Sequence, residues 1–220
     1  MKIKVLITGA TGMVGEGVLQ ECLQNDQVEK ILLINRKSSG YQDSKIEEVL
    51  IDDFFDLTAI QNIVKGYDAC FFCLGISSIG MNEADYTRTT YDLTLHFAEM
   101  LANVNPQMTF CYVSGAGTDS TEKKKTMWAR VKGKTENDLL KLPLQVYNFR
   151  PAFMKPFKNA KHVKPSLKPL IGFMSLFRPL NPSYFLTLEE VGDAMINVSL
   201  HGYSKDILET KDISFMSSTR

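Results

Sequence analysis

The stretch TGATGMVG, residues 8–15, separates two apolar runs of different period. Upstream, residues 2–8 carry Ile3, Val5, Leu6 and Ile7, the largely β-branched bulk of a buried strand. Downstream, Val14, Val18, Leu19 and Cys22 recur at three- and four-residue intervals, which predicts a helix over residues 13–23. The glycines at 9, 12 and 15 are spaced G-x-x-G-x-x-G between the two. In that place Gly9 permits a sharp turn, Gly12 lets a diphosphate approach the backbone, and Gly15 lets helix and sheet pack closely. The helix start adds unpaired N–H groups and a positive dipole end. Thr11, Met13 and Val14 complete the candidate cofactor-binding set at this turn. A glycine trio alone also fits a bare tight turn, so its setting at the head of a strand and helix series carries the reading.

That series continues along the chain. Strands are expected over residues 28–34, 47–51, 69–74, 109–114 and 144–149, and helices over 57–64, 83–102 and 126–142. Runs such as residues 69–74, apolar on both faces, belong inside a parallel sheet covered by helices. Pro151 ends the sixth strand, because its ring removes a ladder donor. The alternation predicts an α/β protein with a doubly wound parallel sheet of Rossmann type. Beyond Ala152 prolines recur at 156, 165, 169, 179 and 182. Thr187 and Glu190 then form a capping box for a helix that buries Val191, Ala194, Met195 and Val198. A last short strand is expected over 206–210, with a fraying end at 217–220. We read residues 1–220 as one domain, with 153–186 as a small substrate-side insertion.

Composition narrows the classes of function. Twenty-five basic residues balance 25 acidic ones, so no net field favours nucleic acid or an anionic membrane. No zinc-finger or helix-turn-helix signature supports a nucleic-acid partner. The apolar stretch PLIGFMSLFRPL is broken by Pro169, Arg178 and Pro179 and is too short to span a bilayer, so no stable membrane insertion is expected. The opening residues enter a strand without an export signal, which points to a cytoplasmic protein with Cys22, Cys70, Cys73 and Cys111 reduced. Cys70 and Cys73 fall on opposite faces of a strand, and His96, His162 and His201 are scattered, so no metal site is expected. Ser114 lies in YVSGAG, outside the hydrolase pattern G-x-S-x-G.

The second strand runs into NRKSS, residues 35–39, about 20 residues beyond Gly15. An acidic residue there would grip the ribose 2′-hydroxyl of NAD, whereas a basic one accommodates a 2′-phosphate. Asn35 carries no charge, and Arg36 and Lys37 can pair with phosphate oxygens, so NADP(H) is expected in preference to NAD(H), which remains open. The competing reading is an ordinary solvated loop pair.

With DDF at 52–54, CFFCLG at 70–75, YVSGAG at 112–117, VKGKTE at 131–136 and RPAF at 150–153, the chain resembles the short-chain dehydrogenase/reductase superfamily. The likeness covers residues 2–152 and is to its atypical members related to nucleoside-sugar epimerases, the small Tat-interacting-protein-like oxidoreductases in particular. The resemblance implies that Asp53 and Phe54 lie beside the adenine, Leu74 and Gly75 near the adenosine ribose, and Ser114 beside the nicotinamide. It implies also that Lys132 contacts the nicotinamide ribose, that Pro151 and Ala152 border the carboxamide, and that a homodimer is available.

One residue departs from that pattern. The family places a proton-donating tyrosine four residues before the lysine, and Trp128 stands there. A phenol beside a cation can lose and regain its proton, whereas an indole N–H only donates a hydrogen bond. Three readings follow: another donor, such as Tyr112 or Tyr91; a non-catalytic NADP(H)-binding redox sensor or scaffold; or a slipped register. Ser114 and Lys132, with Trp128 beside them, are the candidate catalytic residues, against the plainer reading of a strand-end serine and a solvated helical lysine. The substrate expected is a small hydrophobic carbonyl compound. Lys155, Lys158, Lys161, Lys164, Lys168 and Arg178 interleave with apolar residues, which fits the lid of a substrate pocket, a subunit interface or a weak contact with anionic lipid, and equally a small core with solvated lysines. On the first of these, the apolar residues of 170–177 shape the substrate pocket.

Overall fold

The computed structural model describes residues 2–157, 161 and 184–219. The chain opens with β1 (Ile3–Thr8), α1 (Met13–Gln24), β2 (Val28–Asn35), β3 (Ile46–Leu50) and β4 (Ala69–Phe72). A helical rod follows: α2 (Glu83–Thr87), one π turn (Arg88–Asp92) and α3 (Leu93–Val104). β5 (Thr109–Val113), α4 (Met127–Leu139) and β6 (Gln145–Arg150) complete the series seen in the sequence. Two three-residue strands come next, β7 (Phe153–Lys155) and β8 (Phe185–Thr187), before α5 (Leu188–His201), β9 (Ile207–Glu209) and α6 (Thr210–Ser217).

Seven strands form a sheet in the order β3-β2-β1-β4-β5-β6-β9, and every neighbouring pair is parallel. Burial on both faces follows from residue alternation. Val5, Ile7, Phe71, Cys111 and Phe149 join one core with Val18, Leu19, Val191 and Met195, whereas Leu6, Leu32, Cys70, Phe72 and Phe110 join a second with Phe97 and Leu101. Since β2 lies on one side of β1 and β4 on the other, the chain reverses its winding there. The crevice outside the carboxyl ends of β1 and β4 is the switch point at which such sheets take ligands.

Three local expectations need correction. Residues 57–64 form successive turns, not a helix, although Leu57, Ile60 and Val64 are buried as the spacing requires. Asn105 takes the place of a helix end: its amide donates to the Val64 carbonyl at 2.8 Å and accepts from the Gly66 N–H at 2.9 Å. The helix over 83–102 contains a π turn and runs on to Val104. Residues 217–219 are held rather than frayed, because the Asn197 amide donates to the carbonyls of Met216 and Thr219. The capping box of Thr187 and Glu190 is present as read. β7 and β8 pair in parallel as a separate two-stranded sheet at the two ends of the proposed insertion, with Phe153 packed edge-on to Phe185. Among the described residues no helix is long and apolar enough to cross a membrane.

Candidate functional site

The glycine turn is built by close backbone approach. Gly9 has φ +73°, and a Cβ there would stand 2.9 Å from the carbonyl of Cys73 at the end of β4. A Cβ on Gly15 would stand 2.3 Å from the Gly9 carbonyl oxygen, so the first turn of α1 seats against the loop only without a side chain. That oxygen accepts from the Gly12 N–H at 2.9 Å, and the first helical bond runs from Glu16 N to Gly12 O. The N–H groups of Met13, Val14 and Gly15 precede that bond, and Gly12 caps the helix with no side chain. Exposed Thr11 and Gly12 leave this cradle open to an anion. Behind it, buried Glu16 accepts from the Tyr41 hydroxyl at 2.6 Å and from the backbone N–H of Lys161 at 2.7 Å.

A cleft of about 370 Å³ opens beside the turn, lined by Gly9, Thr11, Asn35, Arg36, Lys37 and Leu74. Arg36 and Lys37 are exposed, and neither forms an ion pair among the described residues. Asn35 is buried, and its amide spans two elements: Oδ1 accepts from the Ala10 N–H at 3.1 Å and Nδ2 donates to Glu48 at 3.0 Å. Gly75 is exposed beside half-buried Leu74. Asp53 and Phe54 do not line this cleft. Asp53 accepts from the N–H of Phe55, and Phe54 turns into the core against Phe97.

Ser114, Lys132 and Trp128 are brought together where β5 meets α4. The Lys132 ammonium donates to the carbonyl of Ser114 at 2.5 Å and lies within 3.5 Å of the carbonyl of Val113. Burial brings its pKa down to about 8 against an opposing pull from Glu136. Glu136 is itself buried and clasped by Arg150, which also donates to Ser120 and Glu209. The Ser114 hydroxyl is 2.8 Å from that of Thr118, which donates to the Gly115 carbonyl at 2.8 Å. With the Thr118 proton so placed, Ser114 supplies the proton between the two hydroxyls and turns its lone pairs outward. Half-buried Trp128 reaches over the same loop: a Cβ on Gly117 would meet its ring at 3.5 Å.

Neither alternative tyrosine faces this pocket. Tyr112 is sealed in the core, where burial raises its hydroxyl pKa, and only its ring lies near Lys132, 5.9 Å from Nζ to centroid. Tyr91 donates to Asp138 at 2.7 Å and accepts from Lys134 at 3.0 Å. α4 holds Trp128 and Lys132 one turn apart. Pro151 joins the loop through its carbonyl, which accepts from Ala116 N at 3.0 Å, while Ala152 N donates to Thr210.

Sequence reasoning missed Thr118, Glu48 and the Glu136–Arg150 pair. The doubled glutamate inside the short strand IEEVL was a usable signal for Glu48. The apolar residues of 170–177, and Lys158, Lys164, Lys168, Arg178 and His162, lie outside the described residues. His96 bonds the Phe55 carbonyl and His201 is exposed. Among the described residues no three His, Cys, Asp or Glu gather as a metal site. All four cysteines are free, with Cys70 and Cys73 packed into opposite cores.

The chain is similar to known proteins in ways that match this geometry. Leucinostatins biosynthesis cluster protein T of Purpureocillium lilacinum is 26% identical over 87% of this chain and 82% of its own. Protein HTATIP2 of Rattus norvegicus is 28% identical over 68% of this chain and 62% of its own. Among solved structures, the Bordetella bronchiseptica enzyme WbmF in complex with NAD+ superposes with a TM-score of 0.67 at 12% identity, over 97% of this chain and 77% of that one. That last likeness bears on the fold alone. The sequence model of the NAD dependent epimerase/dehydratase family matches residues 5–130, more than half of the chain. With its glycine turn at the switch point of a parallel sheet, the chain belongs to that family, as an atypical NAD(P)-binding protein of the short-chain dehydrogenase/reductase type.

Proposed function

We propose that the protein binds NADP(H) in preference to NAD(H) across the crevice of β1 and β4 and reduces a small apolar carbonyl compound. The observation that carries the cofactor reading is the pair of exposed cations, Arg36 and Lys37, beside the Gly9 cradle without an acidic partner among the described residues. The cradle fits a diphosphate, because Cβ atoms at Gly9 and Gly15 would collide with backbone, while the first N–H groups of α1 lack intrahelical acceptors. Leu74 and Gly75 would border the adenosine ribose, and Asp53 and Phe54 would serve the adenine through their backbone. When bound, the nicotinamide supplies or accepts a hydride.

Lys132 would hold the nicotinamide ribose by charge-assisted hydrogen bonds from its remaining donors. Ser114, its proton turned toward Thr118, would accept a hydrogen bond from the hydroxyl of the alcohol product. Pro151 and Ala152 would border the carboxamide, and residues 153–186, entered at β7 and left at β8, would close the substrate side. Trp128 would cover the loop and exclude water, without accepting a proton. That last feature favours a second reading, in which the same pocket senses NADP(H) without turnover. Titration of NADPH and NADH tests the first claim, and equal affinity would end it. Incubation with NADPH and a panel of quinones, aldehydes and ketones separates the two readings. Consumption abolished by Lys132→Ala supports the enzyme, and tight binding without consumption supports the sensor.

A further inference from the structure

The Glu48 carboxylate sits on β3 facing the loop that follows β2, and three donors from that loop and its root converge on it. Asn35 Nδ2 at 3.0 Å and the backbone N–H of Ser39 at 2.8 Å share one oxygen, and the Ser38 hydroxyl reaches the other at 2.7 Å. Arg36 and Lys37 fall between the contacts at 35 and at 38–39, so the basic pair is pinned on both sides by one anion. The network extends further, because the Asn35 side-chain oxygen accepts from Ala10 N in the glycine turn. One carboxylate therefore fixes the shape of the basic loop relative to the diphosphate cradle.

We propose that Glu48 is the positioning residue that sets selectivity for a 2′-phosphorylated adenosine, by holding the loop in the shape from which Arg36 and Lys37 meet the phosphate. The proposal rests on the NADP(H) reading above. An acidic group near this point would ordinarily accept the ribose hydroxyls of NAD. Here both oxygens already serve the loop, and the anion acts as its mould. Burial opposes the charge on Glu48, but the bonds from Ser38, Ser39 and Asn35 outweigh it and hold the carboxyl below its usual range. A glutamine could keep the Asn35 and Ser39 bonds only on its one oxygen and would turn the Ser38 hydroxyl round to accept from its NH2, with the loss of the charge that strengthens all three bonds.

The test is calorimetric titration of the full chain with two probes, adenosine 2′,5′-bisphosphate and adenosine 5′-monophosphate. Wild type is expected to prefer the bisphosphate. Glu48→Gln is expected to lose roughly tenfold of that preference, while the monophosphate affinity stays within about twofold. Equal weakening of both probes would mean a general scaffolding role and would overturn the proposal, as would an unchanged ratio. A wild type with no preference would instead defeat the underlying NADP(H) reading. Should Glu48→Gln not fold, Ser38→Ala decides the matter. It removes one donor at an exposed position, and it is expected to lower the preference about threefold without lowering the melting temperature. An unchanged ratio in that variant would overturn the proposal.

Discussion

The Lys132 ammonium donates to the carbonyl of Ser114 across 2.5 Å, joining the middle of α4 to the residue that follows β5. The lysine is thereby aimed at the carboxyl edge of the sheet, with Ser114, Thr118 and Trp128 around it. Its charge is held in a partly dehydrated site, and that has a measurable consequence.

The folded Lys132 pKa of about 8 lies below the usual 10.5, so from about pH 8 to 10.5 the unfolded chain binds more protons than the folded one. This group's contribution to stability therefore rises with pH through that window. Relative to Lys132→Met, wild type should gain stability between pH 7 and 10, on the order of 3 kcal/mol at the upper bound. Urea melts of the two proteins at both values check this, and a constant difference would contradict it.

Trp128 occupies the helical position one turn before Lys132, where a phenol could exchange a proton beside a cation. Trp128→Tyr is expected to raise NADPH consumption with a quinone or aldehyde panel by at least about tenfold. No gain would show that the missing hydroxyl is not what limits turnover.

Two glycines besides Gly9 are required by backbone carbonyls. A Cβ on Gly15 would stand 2.3 Å from Gly9 O, and one on Gly133 would stand 1.8 Å from Asp119 O. Gly15→Ala and Gly133→Ala should each cost about 2 kcal/mol or more in urea unfolding. Gly133→Ala should also loosen the loop that carries Thr118.

Glu21, on α1, has its pKa raised to about 7, chiefly by burial and then by Asp193 on α5. For a carboxyl raised in this way, the contribution to stability is fully present below the unfolded value of 4.5 and is lost as pH rises through 7. Glu21→Gln should therefore melt higher than wild type at pH 8, with the gap closing toward pH 5. A gap of equal size at both values would contradict the assignment.

The parts of the fold that were legible in the sequence are those set by short-range pattern. Residues 2–8 announced a buried strand by their β-branched bulk and 69–74 by apolar faces on both sides, and the strands stand at Ile3–Thr8 and Ala69–Phe72. The glycines at 9, 12 and 15 announced the turn because a strand and a helix flank them. Thr187 and Glu190 announced a helix start three residues apart. What was not legible depends on distant partners. The spacing of Leu57, Ile60 and Val64 suits a helix, but Asn105, 41 residues beyond Val64, ties the segment off as turns. Asn35 was read as an uncharged neighbour of a phosphate, whereas its amide is committed to Ala10 and Glu48. Tyr112 shares the strand parity of Ser114, yet the core closes over its hydroxyl. The π turn at Arg88–Asp92 has no signal we can identify in its sequence.

The account stands on the glycine turn holding a nicotinamide dinucleotide, and Gly12 gives the cleanest test. Its backbone is extended, at φ −106° and ψ 164°, and a Cβ there would have 3.4 Å to its nearest neighbour, so Gly12→Val should fold while filling the space beside the diphosphate. Calorimetric titration of wild type and Gly12→Val with NADPH and NADH is the direct measurement. Wild type should bind both, NADPH the more tightly, and the variant should melt normally and bind neither. Wild type that binds neither, or a variant that binds as well as wild type, would contradict the account.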